Sequence, residues 1–482
     1  MDEVMKKRIV SILLALVLCM MLLPTDIAMA AAQKPTQAAT VNQNYSNWTI
    51  NDLVTANTYR IFPISWYASD MTKPVTKSKL NILIGGLRSK LENTGCVAGI
   101  KDETIRLPAD PTVKEVMKLF YEIICDYTFT PDLQLEKTND QEFMKLNGIY
   151  TGKNGEQALK AKCSIEQACV LATRLITVVY DKLDAGSKGF FYKTEANGNT
   201  VYMLGSIHIA NSSLYPLNED ILKAYDASDA LAVEINTTKQ TGIYELMKLA
   251  TYTDGTTLKD HVSKDTYDKV IKLAEDNGYQ VEMIDQCKAW YLYIVFTSLA
   301  MKESTDPTED TLSTNLGIDM HFLTRASLSG KQILEVEGYG VQAAMLDSFS
   351  DGLQEQLLYT TIDAVNEIAE GTGDSSSNDL LDMFNQWHEG DEEEFEKYTT
   401  YEYENSGLLA DDTDESQAAL EKEFKEKLYT NRDKNMADYI DQLLTSEGNK
   451  TYFVIVGSGH YVSDYDVIDL LAEKGYTITQ IK

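Results

Sequence analysis

The chain has 482 residues, 44% of them hydrophobic and 24% charged, and a formal net charge of -31. So acidic a chain is a poor nucleic-acid binder, and its six cysteines contain no Cys-x-x-Cys, which argues against a zinc cluster or a dense disulfide framework. The length exceeds what one hydrophobic core serves, so at least two domains are expected.

Lys6-Lys7-Arg8, the apolar run from Ile9 to Leu23 and Ala28-Met29-Ala30 read in order as a secretory signal peptide over 1–30. No later segment has the roughly 18 apolar residues of a membrane span, so the exported protein is expected to be soluble, secreted or held at the cell surface. Bulky Leu18 before Cys19, and the apolar residues after it, argue against a lipidation site. Removing the leader leaves Cys96, Cys125, Cys163, Cys169 and Cys287, an odd set in which at least one thiol is free. Residues 31–57 are rich in Ala, Gln, Thr and Asn and predict a flexible leader.

Residues 58–188 predict a smaller, mainly helical domain. Pro74-Val75-Thr76, Asp110-Pro111-Thr112 and Cys163-Ser164-Ile165 look like three equivalent helix starts. With Gly148-Ile-Tyr-Thr-Gly152 they resemble S-layer homology repeats, which implies attachment to cell-wall polymer. A generic helical domain remains the alternative.

From about residue 190 the pattern changes. Asn197-Gly198 marks a hairpin turn, and Val201-Tyr-Met-Leu-Gly-Ser-Ile-His208 reads as a buried strand that delivers a histidine at its end. A Pro- and acid-led helix from Pro216 follows, then the strand Ala230-Leu-Ala-Val-Glu234-Ile235, in which one carboxylate interrupts an apolar run. Strand, helix, strand predicts parallel pairing. A long helical insertion contains one strand at Gln332–Glu337. The chain then repeats its opening logic with Phe453-Val-Ile-Val-Gly-Ser-Gly-His460, a helix ending at Gly475 and a last strand. The fold class is therefore α/β (α+β): a mixed central sheet with a large helical insertion over 190–482.

With only five histidines in the chain, two in matching Gly-Ser-x-His contexts point to a shared site. Imidazole is a common metal ligand, and His208, His460 and Glu234 give the ligand count of an open catalytic metal site. Glu337 is the candidate base or further ligand. Arg432 could bind a substrate carboxylate or an oxyanion, or form an interdomain salt bridge. Asp319 could cap or pair within its own helix, and His321 has a core, second-sphere or exposed role open to it. His261 and His388 are expected on the solvated surface. No His-Glu-x-x-His occurs, so the ordinary zinc-protease helix is excluded. The acidic runs at 389–396 and 411–415 lack calcium-loop spacing and read as solvated helix faces. Tyr398, Tyr401 and Tyr403 could line a peptide groove or simply pack.

The motif Tyr202-Met-Leu-Gly-Ser-Ile-His208 with Leu214-Tyr-Pro-Leu217, the strand bearing Glu234, Gly317-Ile-Asp-Met-His-Phe-Leu-Thr-Arg-Ala326, Leu334-Glu-Val-Glu337 with Gln342, Arg432-Asp-Lys-Asn-Met-Ala437 and Gly457-Ser-Gly-His460 together resemble the TraB/GumN family. Ser463 departs from that family's glycine-containing turn after the second histidine. The related TIKI branch is described as extracellular metal-dependent peptidases with two Gly-x-x-His motifs, and the TraB branch is associated with shutting down peptide pheromones. The resemblance implies a hydrolase that uses a divalent metal (Zn, Mn or Co) on a peptide or protein substrate. The alternative is a non-catalytic cell-surface protein binding a metal, haem or other ligand.

Overall fold

The computed structural model describes residues 44–99, 110–152, 155–300, 312–369, 377–396 and 415–482. The expected signal peptide, the second acidic run up to 414, and Tyr398, Tyr401 and Tyr403 lie outside them. Among the described residues no helix is long and apolar enough to cross a membrane.

A six-stranded mixed sheet positions the site. Its strands are β1 (Phe191–Ala196), β2 (Asn199–Ser206), β3 (Ala230–Val233), β4 (Gln332–Glu335), β5 (Thr451–Gly457) and β6 (Ile478–Gln480), in the order β4-β3-β5-β2-β1-β6. β1 and β2 form the expected hairpin, whose turn residues Asn197 and Gly198 have φ of 52° and 83°. Such left-handed conformations are what Asn-Gly supplies in a two-residue hairpin turn. β2, β5, β3 and β4 pair in parallel, while β1 pairs antiparallel with β2 and β6. β5 comes from the far end of the chain yet lies between β2 and β3, so these two strands, consecutive in sequence, are not neighbours. Both faces of the central strands are covered, and Phe453, Val454, Ile455 and Val456 are fully buried. That burial explains a continuous apolar run in place of alternation.

The helical region before the sheet begins earlier than its composition suggested. Residues 44–57, expected within a flexible leader, include most of the helix Ile50–Tyr59, whose Leu53, Ala56 and Tyr59 are buried. Their spacing by three residues puts them on one face, and Glu166 fixes the entry by accepting from the Ser46 backbone N–H and hydroxyl, each at 2.8 Å. The helices Lys77–Glu92, Val113–Cys125 and Ile165–Leu183 are N-capped by Thr76, Thr112 and Ser164. The segments before them are bridged at Pro74 with Ser164 and at Thr112 with Lys162.

This region packs directly on the sheet region, and the two contribute to one continuous core. Lys90, 3% exposed, donates to the carbonyls of Ser212 at 2.5 Å and Tyr215 at 2.9 Å in the loop after His208. The insertion builds its own core around Trp290, Tyr293, Phe349 and Leu353. Among the described residues, Cys96, Cys125, Cys163, Cys169 and Cys287 are free thiols.

Candidate functional site

His208, Glu234, Glu337, Arg432 and His460 all meet at the carboxyl ends of the parallel strands. Glu234 immediately follows β3, and Glu337 comes two residues after β4, where its N–H donates to the Glu234 carbonyl at 3.1 Å. His208 follows β2 by two residues, and His460 follows β5 within a 3-10 turn over Ser458–His460. Strand ends hold these groups because the pairing below them is buried and leaves little freedom. A Cβ placed on Gly457 would stand 3.3 Å from His208 Nε2, 3.5 Å from Glu234 Oε1 and 3.7 Å from His460 Cδ2. The second motif's glycine therefore lies beside both imidazoles and the carboxylate, and even a methyl group there would press on His208.

Each histidine is fixed through Nδ1 by its own aspartate, His208 by Asp319 and His460 by Asp433, both at 2.5 Å. Asp319 sits in the first turn of the helix Ile318–Ser329, where a carboxylate is favoured. That helix comes so close to the first-histidine loop that a Cβ on Gly317 would fall 2.2 Å from the His208 carbonyl oxygen. Asp319 also accepts from Ser206 Oγ, so it reaches out of its own helix to the strand and loop that carry the histidine. All four side chains are buried. Burial alone would lower the proton affinity of His208, but the Asp319 charge and hydrogen bond, with Glu234 beyond, raise it above the usual value.

The glutamates form a second network. Arg432 donates from Nε to Glu337 Oε1 at 2.9 Å, and from Nη2 to Glu337 Oε2 at 2.8 Å and Glu234 Oε2 at 2.6 Å. Gln342 Nε2 bridges the same two carboxylates at 2.9 and 2.8 Å, and the Gly457 N–H donates to Glu234 Oε1 at 2.6 Å. Of the roles open to Arg432, this geometry is that of a bidentate ion pair, which holds the two glutamates side by side.

The donor set fits a divalent cation in part. Two imidazoles whose Nδ1 atoms are held by carboxylates have the tautomer and orientation that metal-ligating histidines need. Glu234 and Glu337 share one guanidinium, and Asp319 and Asp433 add two more carboxylates against the imidazoles, an excess of negative charge that favours a cation. Both Glu234 oxygens, however, already accept hydrogen bonds. Among the described residues no three His, Cys, Asp or Glu side chains converge as a ligand group.

The other histidines are accounted for separately. His321 is buried between the rings of Tyr215 and Phe322, and neither of its nitrogens has a hydrogen-bond partner among the described residues. Burial, with Arg325 nearby, pushes its pKa down to about 3. His261 and His388, expected on the solvated surface, are partly buried. His261 stacks on Tyr252 at 4.3 Å, and His388 Nδ1 lies 2.6 Å from Ser187 Oγ. Helix packing, invisible in their charged sequence surroundings, covers them. In the first acidic run, Glu392 accepts from Tyr192 and Gln480.

A mixed sheet that gathers two Gly-x-x-His strand ends around a Glu-Arg-Glu clamp defines the class to which the family comparison also leads. The model of the TraB/PrgY/gumN family matches residues 190–480. The chain belongs to that family. A metalloprotease TIKI homolog of Amphimedon queenslandica is 22% identical over 328 residues, covering 62% of each chain. A second TIKI homolog, from Nematostella vectensis, is 29% identical over 63 residues, 13% of each chain. The uncharacterized protein YbaP of Escherichia coli (strain K12) is 24% identical over 151 residues, 31% of this chain and 53% of YbaP. The chain thus spans less than two thirds of the length of these relatives. No solved structure matches it.

Proposed function

We propose that the protein is an exported, metal-dependent peptidase-like hydrolase whose chemistry occurs at His208 and His460. The observation that carries this reading is the pair of strand-end imidazoles, each with Nδ1 held by a separate buried aspartate. His208 and His460 would hold a divalent cation, with Zn, Mn and Co as candidates. When bound, such an ion polarises a peptide carbonyl and lowers the pKa of a water.

The chain's own residues supply the rest. Asp319 and Asp433 orient the imidazoles and raise their basicity as ligands. Arg432 and Gln342 keep Glu234 and Glu337 together at the cleft. Glu337 is the candidate to take a proton, with Arg432 positioning it, and it does so only by releasing Arg432 or Gln342, which engage both of its oxygens. Glu234, tied to the Gly457 N–H, holds β3 and β5 in the register that brings the histidines together, and it becomes a third ligand only by releasing one of its present partners.

The substrate in this reading is a peptide or protein outside the cell, met after cleavage of the leader at residue 30. Residues 58–188 would hold the enzyme on cell-wall polymer, and their three equivalently capped helix starts support that role. A second reading, a non-catalytic surface protein that binds a metal, haem or other ligand in the same cleft, is favoured by Glu234 being already engaged on both oxygens. Cleavage of a mixed peptide library by the chain loaded with Co or Mn separates the two. The hydrolase reading expects products that disappear with chelator and in His460→Ala, whereas tight metal binding without any cleavage supports the second.

A further inference from the structure

The helical segment that carries Arg432 and Asp433 is not regular. Between the helices Glu415–Lys425 and Asn431–Thr445 it makes a π turn over Glu426–Thr430. A π turn accommodates an extra residue and re-phases everything after it. Here the re-phasing joins two cores. Before and within the turn, Phe424 and Leu428 pack with Phe349 and Leu353 in the insertion, while beyond it Met436, Ala437 and Ile440 pack into the core around the sheet.

Half-buried Tyr429 sits at this junction. Its ring lies 5.7 Å from the His460 ring, centroid to centroid, with 52° between the planes. The same ring packs closely on the second motif: a Cβ on Gly459, where the first motif has Ile207, would stand 3.2 Å from the Tyr429 ring. Asp433, four residues on and beyond the π turn, holds His460 Nδ1 at 2.5 Å.

The geometry points to Tyr429 as a positioning residue for His460: together with Asp433 it fixes the imidazole, the tyrosine by its ring and the aspartate at Nδ1. His208 has an aspartate but sits in a different frame, since its loop is tied by Ile207 and Gly317. The π turn is thus the device that brings tyrosine, arginine and aspartate to the site from one helix. The fixing of His460 stands on geometry alone, while its consequence for metal affinity rests on the hydrolase reading above.

The test is an NMR measurement on the metal-free full chain with ¹⁵N-labelled histidine, where the five histidines are few enough to assign with His208→Gln and His460→Gln. In Tyr429→Leu the Nδ1–H line of His460 is expected to shift or broaden while that of His208 stays. Tyr429→Phe, which keeps the ring, should leave both unchanged. An unaltered His460 line in folded Tyr429→Leu overturns the inference, and so does an equal change at His208, which would make the effect global. With Co loaded, Tyr429→Leu is expected to bind about tenfold more weakly. If the native chain binds no metal but the His460 line still responds, the hydrolase reading fails and the positioning role stands.

Discussion

Ser206 and Gly457 lie directly opposite each other in the parallel pairing of β2 and β5, so the two Gly-Ser-x-His motifs are offset by one residue across the sheet. β2 stays extended through Ser206, whereas β5 ends at Gly457 and enters a 3-10 turn. The turn takes up the extra residue, and the two imidazoles arrive at the same place by different routes.

Because each imidazole depends on its own aspartate, Asp319→Asn and Asp433→Asn should each weaken divalent-metal binding by about 10- to 100-fold with little loss of fold. Isothermal titration with Zn or Co, alongside circular dichroism, checks this. Equal affinity in all three proteins would remove the aspartates from the account.

Arg432 is buried and faces two buried carboxylates. Arg432→Met should cost on the order of 3–5 kcal/mol, because a buried pair broken on one side leaves charge without compensation. Adding Glu337→Gln to that variant should recover part of the loss, as read from the denaturant midpoints of the four proteins in the cycle.

The burial of His321 makes a pH-dependent prediction. Its folded pKa of about 3 lies below the ordinary 6.5, so the unfolded chain takes up the proton first. The stability from keeping the ring neutral is complete above pH 6.5 and is lost as pH falls from there toward 3. His321→Phe should therefore gain on the native protein by about 2 kcal/mol at pH 5 compared with pH 8. Urea melts at the two pH values decide it, and parallel curves for both proteins would refute the assignment.

Lys90 ties the helical region to the loop after the first histidine. Lys90→Met leaves the Ser212 and Tyr215 carbonyls without this donor and should destabilise the chain by about 1–3 kcal/mol. Hydrogen exchange should rise over residues 207–217, and exchange confined to the helical region would contradict the tie.

The strand ends were readable because their signals are local. Glu234 is the one charge in an apolar run, and each Gly-Ser-x-His closes a run of buried residues. The strand order was not readable, since β5 inserts between β2 and β3 from the far end of the chain and no local pattern encodes that choice. Asp319 illustrates the difference: sequence left open a cap or a pair within its helix, and only the close approach at Gly317 shows that it reaches Ser206 and His208. Asp433 and Tyr429 escaped notice because their positions depend on a π turn, which has no composition signature. The helix over 50–59 was missed because Asn and Thr interrupt its buried stripe, and packing against the helix Ile165–Leu183 compensates for their weak helix propensity.

The most direct test of the central claim is metal content by elemental mass spectrometry on the full chain, His208→Ala and His460→Ala after identical loading and dialysis. Near-stoichiometric metal in the native chain, lost in both folded variants, is the predicted result. Trace metal at the same level in all three would contradict a shared two-histidine metal site.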